Sequence, residues 1–277
     1  MTTQIDPACL AKLIEKKAVK ILDGSWALDG TDMCALYKTE HIADAQFFDL
    51  EFISDHNTAL PHMAPSPTQF ALAVGQMGIS ENDHVVIYDR QGLFSAARVW
   101  WNFKLMGHEK VQVLRGGLPA WKAAGLPVTD YVGTPVPTVY MPTASPENII
   151  NIKDLKAILK VRGNMVLDAR PKGRFEGAVP EPRAGLRSGH MPGARSLPFG
   201  DLIRDGALKP REELDAIFKK HDVENAQTIV ATCGSGVTAA IISMALYETG
   251  HTSTRLYDGS WAEWGQDALD NPVITGS

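Results

Sequence analysis

The sequence predicts an α/β fold made of two tandem domains, each a parallel sheet with helices on both faces. Short β-branched runs alternate with longer segments of helical pattern, which is typical of parallel sheets. The motifs of the first half recur in the second, and a proline-rich stretch separates the halves. These observations give expected boundaries of 1–126 for the first domain, 127–150 for a linker and 151–277 for the second domain.

The internal repeat has an offset of 143 to 149 residues, which suits a duplicated domain better than a solenoid. Between the halves, Pro127 to Pro146 contains five prolines and few charges, so we expect an extended linker. The matching segments are Lys20–Asp23 with Met165–Asp168, His41–Ala45 with His190–Ala194, Val85–Asp89 with Ile229–Cys233, and Leu114–Gly117 with Tyr257–Ser260.

Helices are predicted after the third strand-like segment of each half. Phe94 to Met106 follows the strand that ends at Asp89, and Val237 to Thr249 follows the strand that ends at Cys233. Ligands of parallel sheets bind at the carboxyl ends of the strands. A functional site is therefore expected beside one or both of the turns that follow these strands.

The second of these turns carries a thiol. Thr228 to Thr232 has the pattern of a buried strand, Cys233 follows it, and Gly234 and Gly236 come next. Glycines let a loop curl around an anion, and the N-terminus of a helix attracts negative charge. Both features favour the thiolate, so Cys233 is predicted to be a nucleophile. A buried, inert cysteine is the alternative, and the two glycines argue against it.

Composition is that of an ordinary globular enzyme. The 27 basic and 32 acidic residues give a net charge of −5 without a basic block, so we expect no nucleic-acid or membrane partner. The N-terminal segment lacks the apolar core of a signal peptide. Cys9, Cys34 and Cys233 have no metal-type spacing. A working thiolate must stay reduced, so a cytoplasmic location is expected.

The residues after Cys233 narrow the chemistry. A cysteine-dependent phosphatase needs an arginine six positions after the cysteine, and here that position is Ala239. The segment Cys233-Gly-Ser-Gly-Val-Thr-Ala resembles the active-site loop of the 3-mercaptopyruvate sulfurtransferases, within the rhodanese superfamily, and the resemblance extends over nearly the whole chain. It implies two rhodanese domains. It also implies a loop, including Gly234, Gly236, Val237 and Thr238, whose N–H groups hold a persulfide.

Two arginines stand nine positions apart in a polar loop after the strand ending at Asp168. Arg174 lies in Gly-Arg-Phe and Arg183 in Pro-Glu-Pro-Arg. Two guanidinium groups can hold the carboxylate and keto oxygen of an α-keto acid. By resemblance, these two match the pair that binds mercaptopyruvate. Arg170, Arg187 and Arg195 lack such a match and are expected to be solvated surface charges.

The resemblance also implies a relay. Ser235 follows Cys233 by two residues, and His62 matches a histidine that the family's first domain sends to the site. Where the family has an aspartate eleven residues before that histidine, this chain has Glu51, with Asp49 and Asp55 as nearby alternatives. Glutamate can orient an imidazole but is one methylene longer. For His62, an ordinary loop histidine remains an equal alternative.

The first half is expected to be inactive, because Asp89 stands where the second half has Cys233 and a carboxylate cannot carry a transferable sulfur. Trp100 and Trp101 of its helix are predicted to be core residues. His190, in a motif common to rhodanese domains, is expected to fix a turn through Pro192 and Gly193.

The function implied by the resemblance is transfer of sulfur from 3-mercaptopyruvate through a Cys233 persulfide to a thiol or cyanide, with release of pyruvate. The expected partners are a small-molecule sulfur donor and a thiol acceptor, with thioredoxin as a candidate, and no cofactor or metal is expected. Two alternatives remain open. One is a thiosulfate sulfurtransferase, whose loop usually carries basic residues at the positions of Gly234 and Ser235, and the other is a non-catalytic rhodanese module that binds a partner.

Overall fold

The computed structural model describes residues 2–276. It divides into two compact units, one formed by residues 1–55, 64–145 and 205–208 and the other by residues 56–63, 146–204 and 209–277. Each half of the sequence therefore contributes a short segment to the unit formed mainly by the other half. The segment 56–63 contains His62, which belongs to the second unit.

The strands are Gln4–Ile5 (β1), Lys20–Asp23 (β2), His41–Ile42 (β3), Ala45–Phe47 (β4), Val85–Tyr88 (β5), Val111–Leu114 (β6), Val128–Thr129 (β7), Ile149–Ile150 (β8), Asn164–Asp168 (β9), Ala194–Ser196 (β10), Ile203–Arg204 (β11), Ala207–Leu208 (β12), Thr228–Thr232 (β13) and Thr254–Tyr257 (β14). The helices are Pro7–Glu15 (α1), Met33–Thr39 (α2), Pro67–Gln76 (α3), Ala96–Leu105 (α4), Gly117–Ala123 (α5), Ile152–Ile158 (α6), Lys172–Phe175 (α7), Arg211–Lys220 (α8), Ala239–Glu248 (α9) and Ser260–Trp264 (α10).

The first unit is built on a parallel sheet in the order β1-β6-β5-β2-β4. Successive residues of a strand face opposite sides, so each strand feeds two cores. On one face, Ile21 and Val86 pack with Leu10, Tyr37 and Trp121 of helices α1, α2 and α5. On the other, Phe70 of α3 and Phe103 of α4 meet edge to face with ring centroids 4.9 Å apart. The predicted helix after β5 is confirmed, although it starts two residues later than expected.

The second unit has a parallel sheet in the order β10-β9-β13-β14-β8. One face of this sheet packs Val166 and Val230 against Leu155 of α6 and Trp261 of α10. Strand β13 lies in the middle of the sheet, flanked by β9 and β14. The α/β fold with two parallel sheets is therefore confirmed, and the central strand of the second sheet ends immediately before Cys233.

The proline-rich segment between the halves follows the first unit. Thr138 N–H donates to Gly75 O at 2.9 Å, and Thr143 N–H donates to Met106 O at 3.0 Å. Tyr140 is buried in the aromatic cluster around Phe70. The segment is thus extended, as its prolines predict, and tied along its length to the unit that precedes it.

Candidate functional site

The thiol lies at a buried strand-to-helix turn of the second unit. Cys233 directly follows β13, only 2% of its surface is exposed, and α9 begins at Ala239. The loop between them includes Gly236, whose φ of +78° lies in the left-handed region that favours glycine. The strand, the cysteine and the helix thus stand in the arrangement that the sequence predicts.

The backbone on both sides of the thiol is held by the start of α10. Cys233 O accepts a hydrogen bond from Trp261 N–H at 3.0 Å, and Gly234 O accepts one from Ala262 N–H at 2.9 Å. Cys233 N–H donates to the Ser260 hydroxyl at 3.2 Å. Three backbone polar groups of the loop are therefore fixed by one short helix.

The two predicted arginines converge on this loop. A Cβ atom placed on Gly234 would lie 3.0 Å from Nη2 of Arg174 and 3.9 Å from Nη1 of Arg183. Gly234 therefore leaves space that a larger residue would take from the arginines. Two positively charged side chains therefore lie beside Gly234, although the loop itself contains no basic residue.

The position of Arg174 is set by a carboxylate that the sequence patterns did not mark as functional. Glu181 is buried, with 1% of its side chain exposed, and forms a bidentate ion pair with Arg174 through Nε and Nη2. Glu181 also accepts from Nη1 of Arg170 at 2.8 Å. Because a buried carboxylate is stable only when paired, Glu181 holds the two guanidinium groups together. Its place between two prolines, two residues before Arg183, was the available signal.

Arg170 is not the solvated surface charge that we expected. Its side chain is 1% exposed, it forms a bidentate pair with Asp168 at the end of β9, and it donates to Gly189 O at 2.9 Å. Its guanidinium lies 4.2 Å from the centre of the Trp261 ring. Burial lowers the pKa of Arg170, but the Asp168 and Glu181 carboxylates outweigh it and raise the pKa overall. The prediction was wrong because sequence pattern does not show that the carboxylates of Asp168 and Glu181 and the ring of Trp261 converge on Arg170 in the fold.

The other two arginines differ in exposure. Arg187 is partly buried and donates to Asn271 O at 2.8 Å, a structural contact rather than a solvated charge. Arg195 is exposed, as expected, and donates to the His221 carbonyl.

Ser235 and His62 form a hydrogen-bonded pair within the second unit. The Ser235 hydroxyl lies 3.0 Å from Nδ1 of His62, and both residues are buried. His62 has a φ of +59°, an uncommon conformation for a residue with a side chain. Glu51 accepts a hydrogen bond from Trp26 Nε1 at 2.7 Å. The role of Glu51 as relay acid stays a prediction.

His190 and the tryptophans of α4 have the contacts and the burial that are typical of structural residues. The His190 ring stacks on Phe175 with centroids 3.8 Å apart, and its Nδ1 is 2.9 Å from Phe175 O. This contact fastens the end of α7, the helix that carries Arg174. Trp100 and Trp101 are 3% and 5% exposed, as predicted for core residues.

In the corresponding loop of the first unit, the backbone N–H groups bond to a side chain of the same loop. The carboxylate of Asp89 accepts four backbone hydrogen bonds, one of them from Gln91 N–H to Oδ1 at 3.0 Å. The other three run to Oδ2 from the N–H groups of Phe94, Ser95 and Ala96, at 2.8, 2.9 and 2.9 Å. A carboxylate thus occupies the N-terminus of α4.

Three further findings concern metal ligands, membrane-spanning helices and the other two cysteines. Among residues 2–276, no group of three or more His, Cys, Asp or Glu side chains is arranged to hold a metal ion. Within the same residues, no helix is both long enough and apolar enough to cross a bilayer. Cys9 and Cys34 are free thiols, the former exposed and the latter partly buried.

Comparison with known proteins agrees with this architecture. The model of the rhodanese-like domain matches residues 6–124 and 151–267. The 3-mercaptopyruvate sulfurtransferase of Escherichia coli K12 is 39% identical over 267 residues, which are 95% of each chain. A thiosulfate sulfurtransferase of Cricetulus griseus is 40% identical over 255 residues, 90% of this chain and 86% of that one. The crystal structure of the Escherichia coli 3-mercaptopyruvate enzyme superposes with a TM-score of 0.86 at 36% identity, covering 94% of this chain and 99% of that one. The chain is a two-domain sulfurtransferase that belongs to the rhodanese family.

Proposed function

We propose that the chain transfers the sulfur of 3-mercaptopyruvate through a persulfide on Cys233 to a thiol or to cyanide. The observation that supports this donor most is the pair of guanidinium groups, Arg174 and Arg183, beside Gly234. An α-keto carboxylate offers two acceptor sites in one plane, which suits a pair of planar cations. Relatives named for either donor match at similar identity, so overall similarity does not select the donor.

The first half-reaction builds the persulfide. The Cys233 thiolate attacks the sulfur of mercaptopyruvate, an S–S bond forms and the C–S bond of the donor breaks. The electron pair of that bond passes to the carbon as the enolate of pyruvate, and a proton completes pyruvate. Arg174 and Arg183 stabilise the charge on the developing enolate. The Ser235–His62 pair is the proposed source of the proton.

The second half-reaction regenerates the free thiolate of Cys233. An acceptor thiolate attacks the outer sulfur, the new S–S bond forms and the bond to Cys233 Sγ breaks, which restores the cysteine thiolate. Backbone N–H groups from Gly234 to Thr238 are the proposed cradle for the persulfide between the steps. Thioredoxin is the proposed protein acceptor, and a reducing compartment such as the cytoplasm the proposed setting.

The test begins with the persulfide. Incubation with 3-mercaptopyruvate in the absence of acceptor should increase the mass of the protein by one sulfur atom, and the folded Cys233→Ser variant should show no increase. A non-catalytic binding module would gain no sulfur even in the unmodified protein, so that result would overturn the proposal.

The donor is tested by the arginines. Arg174→Ala and Arg183→Ala should each lower kcat/KM for mercaptopyruvate roughly tenfold or more relative to thiosulfate, because only mercaptopyruvate carries the carboxylate. Arg195→Ala removes an exposed arginine of the same unit and serves as the control, with an unchanged ratio. Equal losses for both donors in the Arg174 and Arg183 variants would contradict their role in donor choice.

A further inference from the structure

Ser260 has a backbone conformation that its side chain disfavours. It is the first residue of α10, its φ is +50°, and it is fully buried. A residue with a Cβ atom is destabilised in the left-handed region, where glycine is not. The conformation of the turn alone therefore does not explain why this residue is a serine.

The internal repeat shows that the turn does not require a serine. The matching residue of the first unit is Gly117, the first residue of α5, with a φ of +57°. The next residue in each unit makes the same contact. Leu118 N–H donates to Asp89 O at 3.0 Å, and Trp261 N–H donates to Cys233 O at 3.0 Å. The positive φ and the hydrogen bond that follows it thus occur with glycine in the first unit and with serine beside the thiol.

What serine adds is its hydroxyl group. The Ser260 hydroxyl donates to Tyr257 O at 2.8 Å and accepts from Cys233 N–H at 3.2 Å and from the Thr232 hydroxyl at 3.4 Å. One hydrogen and two lone pairs are the full capacity of a hydroxyl, so none is left for a ligand. With its N–H held by Ser260 and its C=O by Trp261, Cys233 keeps only its side-chain rotation to direct the sulfur.

We propose that Ser260 is a positioning residue for Cys233, whose hydroxyl fixes the peptide before the thiol so that Sγ points at the donor and then at the acceptor. This inference rests on the proposed function of Cys233. The first unit has no need of such a hydroxyl, because the Asp89 carboxylate is held directly by four N–H groups.

Two variants separate the hydroxyl from the backbone strain. Ser260→Ala removes the hydroxyl and keeps the Cβ atom, whereas Ser260→Gly removes both and reproduces the residue that occupies the same conformation at position 117. Both variants should slow single-turnover formation of the Cys233 persulfide and lower kcat to a similar extent, roughly ten- to a hundredfold. KM for mercaptopyruvate should stay within about twofold, since the Arg174–Arg183 pair is untouched.

Thermal stability provides the contrasting measurement. The Gly variant should have the higher Tm of the two, because it relieves the left-handed conformation. Thr249→Val removes a buried hydroxyl that donates to Ala245 and Leu246 at the far end of α9, and is the control that should leave kcat unchanged. If the Ala variant does not fold, the Gly variant alone decides the question.

The outcomes are distinct. A Gly variant with the kcat of the unmodified protein, or kcat values that follow Tm from Ala to Gly, would overturn the inference, since Ser260 would then act only through stability. A reduced kcat that is shared by both variants despite different Tm values supports it. If the unmodified protein itself forms no persulfide from mercaptopyruvate, the proposed function fails first, and this result is separate from any difference between the variants.

Discussion

The loops after β5 and β13 have the same plan and opposite chemistry. Each has a buried residue at the end of a central strand and a glycine with positive φ three residues later, Gly92 in one unit and Gly236 in the other. In the first unit, the buried residue is Asp89, which satisfies the N-terminus of α4 with its own carboxylate. In the second unit, it is Cys233.

The difference lies in the N–H groups that the side chain leaves available. Phe94 and Ser95 donate to Asp89, and their counterparts in the second unit are Thr238 and Ala239. Among the residues that the structure describes, the N–H groups of Thr238 and Ala239 have no hydrogen-bond acceptor. A helix N-terminus in this state favours an anion. The same cradle therefore acts as an internal cap in one unit, and its open form in the other suits a sulfur anion.

The strongest test of this comparison gives the loop of the second unit the carboxylate that the loop of the first unit has. Cys233→Asp should abolish sulfur transfer completely, because no sulfur can be carried. It should also match or exceed the Tm of the unmodified protein, because the carboxylate can accept from the open N–H groups as Asp89 does. Transfer assays and differential scanning calorimetry measure the two effects. Cys233→Ser, which is uncharged and shorter, should lose transfer without the gain in Tm, and a Tm for Asp below that of Ser would break the analogy.

Removal of the carboxylate from the first unit should lower stability rather than activity. Asp89→Ala leaves several buried N–H groups without their acceptor, which should destabilise the first unit by about 3 kcal/mol and lower its Tm by several degrees. Asp89→Asn keeps the shape and one acceptor oxygen and should lose less. Calorimetry of the intact chain gives the measurement, and an unchanged Tm in Asp89→Ala would show that the carboxylate is not a stabilising cap.

The aspartates that end β2 and β9 occupy matching positions of the repeat, and the difference in their surroundings should have a smaller effect, on the pH dependence of stability. Asp168 is neutralised by Arg170, whereas Asp23 bonds to Ser25 and has its nearest arginine, Arg90, at 4.0 Å. Burial raises the pKa of Asp23 above its ordinary value of 3.8, more than the Ser25 hydrogen bonds and Arg90 lower it. The folded state therefore favours the protonated acid, and its stability falls as pH rises above that value.

Asp23→Asn removes this dependence and keeps an oxygen that accepts from Ser25. The Tm of the variant relative to the unmodified protein should rise between pH 4 and pH 7. Asp168→Asn is the contrasting variant and should lower Tm, because it breaks the ion pair with Arg170. Thermal unfolding followed at several pH values measures the trend. A Tm difference that stays constant with pH would contradict the conclusion that burial outweighs the partners of Asp23.

Much of the fold follows from short stretches of sequence. The central strands of both sheets are runs rich in β-branched residues and bounded by turns, and the internal repeat relates one sheet to the other. The helix predicted from Val237 to Thr249 starts at Ala239 and ends at Glu248, because Gly236 and the residues after it form the turn. Boundaries shifted by a residue or two because hydrogen bonding, rather than hydrophobicity, decides where a helix begins.

By itself, the sequence identified the thiol, its glycine loop and the two flanked arginines as candidates, because each of these signals is a short local motif. The tertiary structure decided which groups surround them. Ser235 meets His62 across 173 positions, Arg170 is buried by Glu181 and by the Trp261 ring, and Ser260 reaches Cys233 from a neighbouring strand-to-helix turn. A polar side chain is tolerated in a core only when the fold supplies its partners, and those partners are chosen by the packing of distant elements rather than by local pattern.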